Sequence, residues 1–143
     1  MLTLRQGSQA PSLILLLSVT GEFPLRSLRL LGNERVLRDL IRRMTMPQHI
    51  RSPDGNRQWE TRLLHISGKG REKSIRLCKS CLVVLECICP DLYQYYMDSF
   101  WNHHFPGDAA HRERNHRVAE ATAFYWRAGI EIFPCRMMKL QLD

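Results

Sequence analysis

No apolar run in this sequence is long enough to cross a bilayer. The longest covers residues 13–17 and extends weakly to Val19, whereas a spanning helix needs about 20 such residues. Arg5 precedes that run, as a basic residue does in a signal peptide. No small-x-small cleavage site follows, and Thr20-Gly21-Glu22 is a poor substitute, so secretion is disfavoured. Catalytic signatures are missing too: no glycine-rich phosphate loop, no Gly-x-Ser-x-Gly elbow, no His-Glu-x-x-His pair. The acidic residues of the second half are scattered, without the Asp…Glu-x-Lys grouping of a metal-dependent nuclease. The expectation is a protein that is not an enzyme and needs no cofactor. A Cys/His nucleophile stays open, because such pairs are assembled in space.

Lysine is scarce where positive charge is densest. Residues 1–77 hold 14 Lys+Arg against 6 Asp+Glu, a balance of +8, and only Lys69 and Lys73 are lysines. Residues 78–143 hold 7 against 8, a balance of −1. A basic half beside a neutral half implies one face made for a polyanion, with nucleic acid favoured over an anionic membrane. Arginine, with its planar fork, contacts phosphates and guanine edges bidentately, which lysine cannot do. Five cysteines stand at 78, 81, 87, 89 and 135. An odd count with four in one short stretch is a poor disulfide framework, so reduced thiols and a cytoplasmic setting are expected.

At 143 residues, with 44% apolar and 24% charged residues, the chain has ordinary globular composition. It is sized for one domain, or for a small domain with an extension. After a loose start at residues 1–9, Pro11 suits a first helical turn. Leu13, Ile14, Leu16 and Leu17 make that helix apolar almost all round, hence buried, and Gly21 stops it. Pro24 opens a second short helix with Leu25, Leu28 and Leu31 on one face; Gly32 ends it.

The third helix, 33–46, is the most informative segment. Asn33 can cap it and Pro47 ends it. Val36, Leu37, Leu40, Ile41 and Met44 form its apolar stripe, while Arg35, Arg38 and Arg42 fall on another face. Most charged stripes are simply solvated, but the context here is specific. A short helix, a Gly-Asn turn and an arginine-faced helix have the helix-turn-helix layout. Strand-like segments follow at 58–66 and 74–77, with Asp54-Gly55-Asn56 as a turn ahead of the first. Between the two strands, Ser67-Gly68-Lys69-Gly70-Arg71-Glu72-Lys73 reads as an exposed basic hairpin tip. Three helices and then a hairpin is the winged-helix order. The third helix would enter the major groove, and the tip would reach phosphates.

These residues carry a resemblance. The buried helix at 13–17, Gly21-Glu22-Phe23-Pro24, the Arg-rich helix 33–46 and Leu63-Leu64-His65-Ile66-Ser67-Gly68-Lys69-Gly70 together resemble winged helix domains of replication-relaxation-type proteins from bacterial plasmids and integrative elements. The similarity covers residues 10–82 and fades beyond Cys89. It implies DNA binding in plasmid replication, transfer or their regulation. Proteins of that type often run longer, so this chain is expected to be a truncated relative.

The second half reads as a helical extension. Residues 78–89 are helical around Leu82, Val83, Leu85 and Ile88, and Pro90 breaks or kinks the path. Residues 91–101 continue with Leu92, Tyr93, Tyr96, Met97, Phe100 and Trp101, spaced to pack on the basic domain or to form a dimer surface. A last helix, about 108–128, packs through Val118, Ala121, Phe124 and Tyr125; Gly129 ends it and residues 130–133 start a strand. Cys78-x2-Cys81 is the sharpest metal hint, with His103, His104, His111 and His116 as distant candidates to complete a zinc site. Against zinc, the cysteines continue into an apolar helical run, where Cys87 and Cys89 point to different sides. The cluster of His111, Arg112, Arg114, His116 and Arg117 is either a second DNA contact or a solvated helix start.

The expected fold is therefore mostly α with a small β-hairpin wing: a winged helix-turn-helix at 1–78 and a helical extension at 79–143. The expected function is double-stranded DNA binding as a transcription regulator or a replication or transfer accessory, with homodimerisation open and no membrane. Asn33, Arg35, Arg38, Arg42, Lys69, Arg71 and Lys73 are the candidate DNA contacts. Two alternatives stand beside this: a protein-interaction module on the same scaffold, and a zinc-stapled small domain.

Overall fold

The structure is a computed structural model that describes residues 1–101 and 109–127, and side chains in the last helix from Glu113 onward. Helices outweigh strands in a mixed α/β architecture. In chain order the elements are β1 (Leu2–Thr3), α1 (Gln9–Thr20), β2 (Phe23–Pro24), a 3-10 segment Leu25–Leu30, α2 (Glu34–Met44), β3 (Gln48–Arg51), β4 (Gln58–Thr61), β5 (Leu64–Ser67), β6 (Ser74–Leu77), α3 (Leu82–Ile88), α4 (Pro90–Tyr96) and α5 (Ala109–Arg127). Short 3-10 turns at Gly70–Glu72 and Lys79–Cys81 and a π turn at Met97–Trp101 complete the path.

The apolar helix α1 lies at the centre, with Leu13, Ile14, Leu16 and Leu17 all buried. Gly21 ends it at φ +80, and its N–H bonds to the carbonyl of Leu17 at 2.8 Å. A Cβ at that position would sit 2.7 Å from the Phe100 ring. Only glycine suits both this backbone and this contact. Pro24 precedes a short helix as expected, as its N-cap, but that helix is 3-10. Pro24 itself lies in β2, and the leucines that follow form a 3-10 segment kinked at Ser27.

Two three-stranded sheets flank the helices. In one, the order is β2-β6-β5, all antiparallel, with Phe23 opposite Ile75 and Leu64 opposite Leu77. In the other, the order is β1-β3-β4, with β1 parallel to β3 and β3 antiparallel to β4. The second sheet revises two expectations. The chain start is not loose: Leu2 and Leu4 are buried and β1 pairs with β3. The expected strand at 58–66 is two strands in different sheets. Leu63 and Leu64 are both buried, which breaks the alternation of a continuous strand. The Leu63 N–H bonds instead to the carbonyl of Met44 at 3.0 Å, and the path turns there. Asp54-Gly55-Asn56 is the turn of the β3–β4 hairpin. The Asp54 carboxylate accepts from the Ser52 hydroxyl at 2.6 Å and the Asn56 N–H at 2.9 Å. Those bonds favour the charged form and hold Asp54 below the usual carboxylate range.

Residues from both halves of the chain share one hydrophobic core, from Leu2 and Leu4 through α1 and the sheets to Val84, Leu85, Leu92, Tyr96, Ala119 and Ala123. Burial pushes the Tyr96 phenol up to about 12. Pro90 takes the first position of α4, where a missing N–H costs nothing. The packing face of α5 is the reverse of the expected one. Ala119 and Ala123 are fully buried, whereas Val118, Phe124 and Tyr125 are 58%, 66% and 50% exposed. Small side chains let α5 approach β2 and α1 closely, and that closeness turns the larger residues outward. The expected end of this helix at Gly129 and the strand at 130–133 lie outside the described residues.

Candidate nucleic-acid interface

Helix α2 starts where its sequence says it should. The Asn33 side chain accepts from the Val36 N–H at 3.2 Å, Glu34 sits in the first turn, and Arg42 and Arg43 sit in the last. Leu37, Leu40, Ile41 and Met44 are buried, at the i, i+3, i+4, i+7 spacing of one stripe. Val36 is not part of that stripe, contrary to expectation. It lies about 90° from the stripe's centre and is 46% exposed.

Opposite the stripe, Arg35, Asp39 and Arg42 form the crest of the exposed face, within an arc of about 60°. All three are exposed. Arg38 lies towards one flank and Arg43 towards the other, and a shallow groove beside the helix is lined by Gln9, Arg35, Asp39 and Arg43. The arginines differ in what already holds them. Arg38 pairs with Glu34 at 2.9 Å and reaches the carbonyl of Leu25 at 3.4 Å. Arg42 pairs with Asp39. Arg35 and Arg43 have no ion-pair partner among the described residues. Such exposed pairs are worth a few tenths of a kcal/mol, so a ligand can displace them at little cost. Arg43, Gln9 and Asp39 were not among the candidates drawn from the sequence. Arg43 was legible there, as the basic residue next to Arg42.

The tip between β5 and β6 carries the other candidates. Lys69, Arg71 and Lys73 are all exposed. Gly68 turns the chain at φ +86, and a Cβ there would meet the Glu72 carbonyl at 2.7 Å. The tip is tied down at two points. The Arg26 guanidinium donates to the carbonyl of Arg71 at 2.9 Å, and the Leu25 N–H donates to the carbonyl of Lys73 at 2.9 Å. Leu25 thus bonds to the tip through its N–H and to α2 through its carbonyl. The structure brings the two groups of candidates onto the two sides of one residue. The β3–β4 hairpin adds a cation that the sequence reading passed over: the Arg57 guanidinium stacks 5.1 Å from the Trp59 ring centroid.

The remaining candidates are held elsewhere. His116, considered for metal or DNA, is buried, with its Nε2 3.7 Å from Oε1 of Glu22. The other oxygen of Glu22 accepts from Ser74 at 2.9 Å and from Arg76 at 3.2 and 3.1 Å. The result is a buried polar cluster that joins α5 to the β2-β6-β5 sheet. Cys81 is fully buried, and burial and then the neighbouring Cys78 push its thiol far up; burial also raises Cys78, against the opposing Arg62 charge. Neither is poised as a thiolate ligand. Among the described residues no three His, Cys, Asp or Glu side chains gather around a metal position. His103, His104 and Cys135 lie outside the described residues, and nothing is described of the His111 and Arg112 side chains. No described helix is long and apolar enough to cross a membrane.

No protein-family model matches the chain, and no curated protein or solved structure matches it.

Proposed function

We propose that the chain binds double-stranded DNA through a winged helix-turn-helix, with α2 in the major groove and the β5–β6 tip as the wing on neighbouring phosphates. The observation that carries the reading is the shared anchor at Leu25, which ties both Arg38, on the flank of α2, and the basic tip to one residue. The sheet order supports it: a short strand before the helix pair joins the hairpin that follows, as β2-β6-β5. The charge supports it as well, since the basic half of the chain supplies both elements. The β3–β4 hairpin is then an insertion between the recognition helix and the wing. The resemblance to replication-relaxation-type proteins agrees with this reading and suggests a regulator or a replication or transfer accessory of a mobile element.

Fluorescence anisotropy with a labelled random-sequence duplex over a salt series tests the reading. Affinity should fall steeply with salt, as counterion release requires. No binding at low salt would contradict it.

A second reading has its own support. Val118, Phe124 and Tyr125 form an exposed apolar group on α5, with the two rings edge to face at 5.9 Å. Such a group suits a protein contact or a homodimer. The surface once expected at 91–101 suits it less, because Leu92 and Tyr96 are buried there. Binding through α5 would be nearly independent of salt.

A further inference from the structure

We infer that Asp39 is a specificity-determining residue, which accepts a hydrogen bond from the exocyclic amino group of a cytosine in the bound duplex. The inference rests on the DNA-binding reading and says which bases α2 prefers.

Three observations lead to it. First, Asp39 sits on the crest of α2 between Arg35 and Arg42, and its side chain is 55% exposed. A carboxylate on a face otherwise suited to a polyanion repels phosphate, so it weakens binding to duplex in general. Second, helix stability explains it only in part, through the i,i+3 pair with Arg42, worth a few tenths of a kcal/mol. Aspartate is among the weaker formers of a helix interior, and Asp39 lies beyond the first turn, where Glu34 already serves the helix dipole. Third, the side chain is oriented: Oδ1 is held by the Arg42 guanidinium. Oδ2 has no partner among the described residues.

An ionised carboxylate only accepts hydrogen bonds. In the major groove, cytosine offers N4–H2 as a donor and is the usual partner of Asp or Glu, whereas guanine offers N7 and O6 as acceptors for arginine. Arg42 and Asp39, held together, would therefore read a guanine and a cytosine close to each other. Opposite guanine or thymine, Asp39 meets acceptors or a methyl group, and opposite adenine the N6–H2 donor stands beside the N7 acceptor, so its repulsion is offset less well than at cytosine.

The test is selection of binding sites from a randomised duplex library by the full chain, run beside Asp39→Ala and Asp39→Asn. Exposure of Asp39 makes both variants compatible with the fold, which circular dichroism checks. The wild-type chain should enrich a site with a required cytosine, favoured over other bases by about 5- to 150-fold. Asp39→Ala should lose that requirement while binding random duplex at least as tightly as wild type. Asp39→Asn should move the preference to adenine, because an amide pairs with its N6 and N7. An Asp39→Ala site identical to the wild-type site would overturn the role of Asp39 and leave DNA binding standing. A wild-type chain that enriches nothing and binds no duplex would overturn both.

Discussion

Leu25 donates its N–H to the carbonyl of Lys73 at 2.9 Å, two residues beyond the point where Arg26 grips the carbonyl of Arg71. The hairpin tip is therefore fixed to the 3-10 segment and does not hang free from β5 and β6. The carbonyl of the same Leu25 accepts from Arg38 on α2. A fixed position of the tip relative to α2 would suit simultaneous contact with a groove and its phosphates.

The arginines of α2 should separate in their effects. Arg35 and Arg42 lie on the crest, so replacing either with Ala should cost about 1–3 kcal/mol on a specific site if it reads a base. Arg38 is spent in part on Glu34 and Leu25. Its alanine variant should weaken binding too, but should also lower the melting temperature slightly. Competition titrations with specific and random duplexes separate the terms. Affinity and sequence preference unchanged from wild type in all three variants would remove α2 from the groove.

Gly21→Ala should destabilise the fold by about 1–3 kcal/mol. The methyl group would meet Phe100 at 2.7 Å in a backbone conformation that only glycine adopts readily. Urea denaturation measures the loss. A midpoint equal to wild type would place Phe100 elsewhere.

The direction of α5 is open to a paired experiment. Phe124→Ser and Tyr125→Ser should stay within about 0.5 kcal/mol of wild type, as exposed positions do. Ala119→Leu should cost about 1–3 kcal/mol through overpacking, since Ala119 is fully buried. The opposite pattern would restore the face first read from the sequence.

Removing the Glu22 carboxylate should be costly. Glu22→Ala takes away the acceptor shared by Ser74 and Arg76 and the charge opposite His116. Breaking a buried pair from one side costs about 3–5 kcal/mol; the partial exposure of Arg76 puts the expected loss near the lower figure. Thermal denaturation should show it, and an unchanged melting temperature would mean that α5 does not dock through this cluster.

His65 should respond to pH. Burial first, and then the charges of Arg76 and Arg62, hold its pKa below 6.5. Below that value the unfolded chain takes up more protons than the folded one. The neutral ring's contribution is thus present above pH 6.5 and is lost as pH falls through the lower folded value. NMR titration should find the His65 midpoint under 6.5, and a midpoint above it would contradict the partial desolvation of this exposed ring and the nearness of the two guanidiniums.

Local signals in the sequence carried much of this. The all-round apolarity of α1, the Asn33 cap and the glycine-marked tip each depend on a few neighbouring residues, and all three are found where they were read. What was missed depends on distant partners. Strand β3 has a single buried apolar residue, Ile50, and exists because β4 and β1 flank it. The two faces of α5 both hold apolar residues, and side-chain size alone favours the wrong one. Only the approach to α1 and β2 selects the alanines. In α2 the arginine stripe was plain, but the ion pairs that distinguish Arg35 from Arg38 needed side-chain geometry.

The central claim is that α2 and the β5–β6 tip contact one duplex together. It is tested most directly by the salt dependence of duplex binding for the triple variant Lys69→Ala, Arg71→Ala, Lys73→Ala beside wild type. Each lost phosphate contact should reduce the slope of log affinity against log salt by about 0.9, so a shallower slope by two to three such steps is predicted (~2–3 contacts). A slope identical to wild type would take the tip out of the interface and contradict the account.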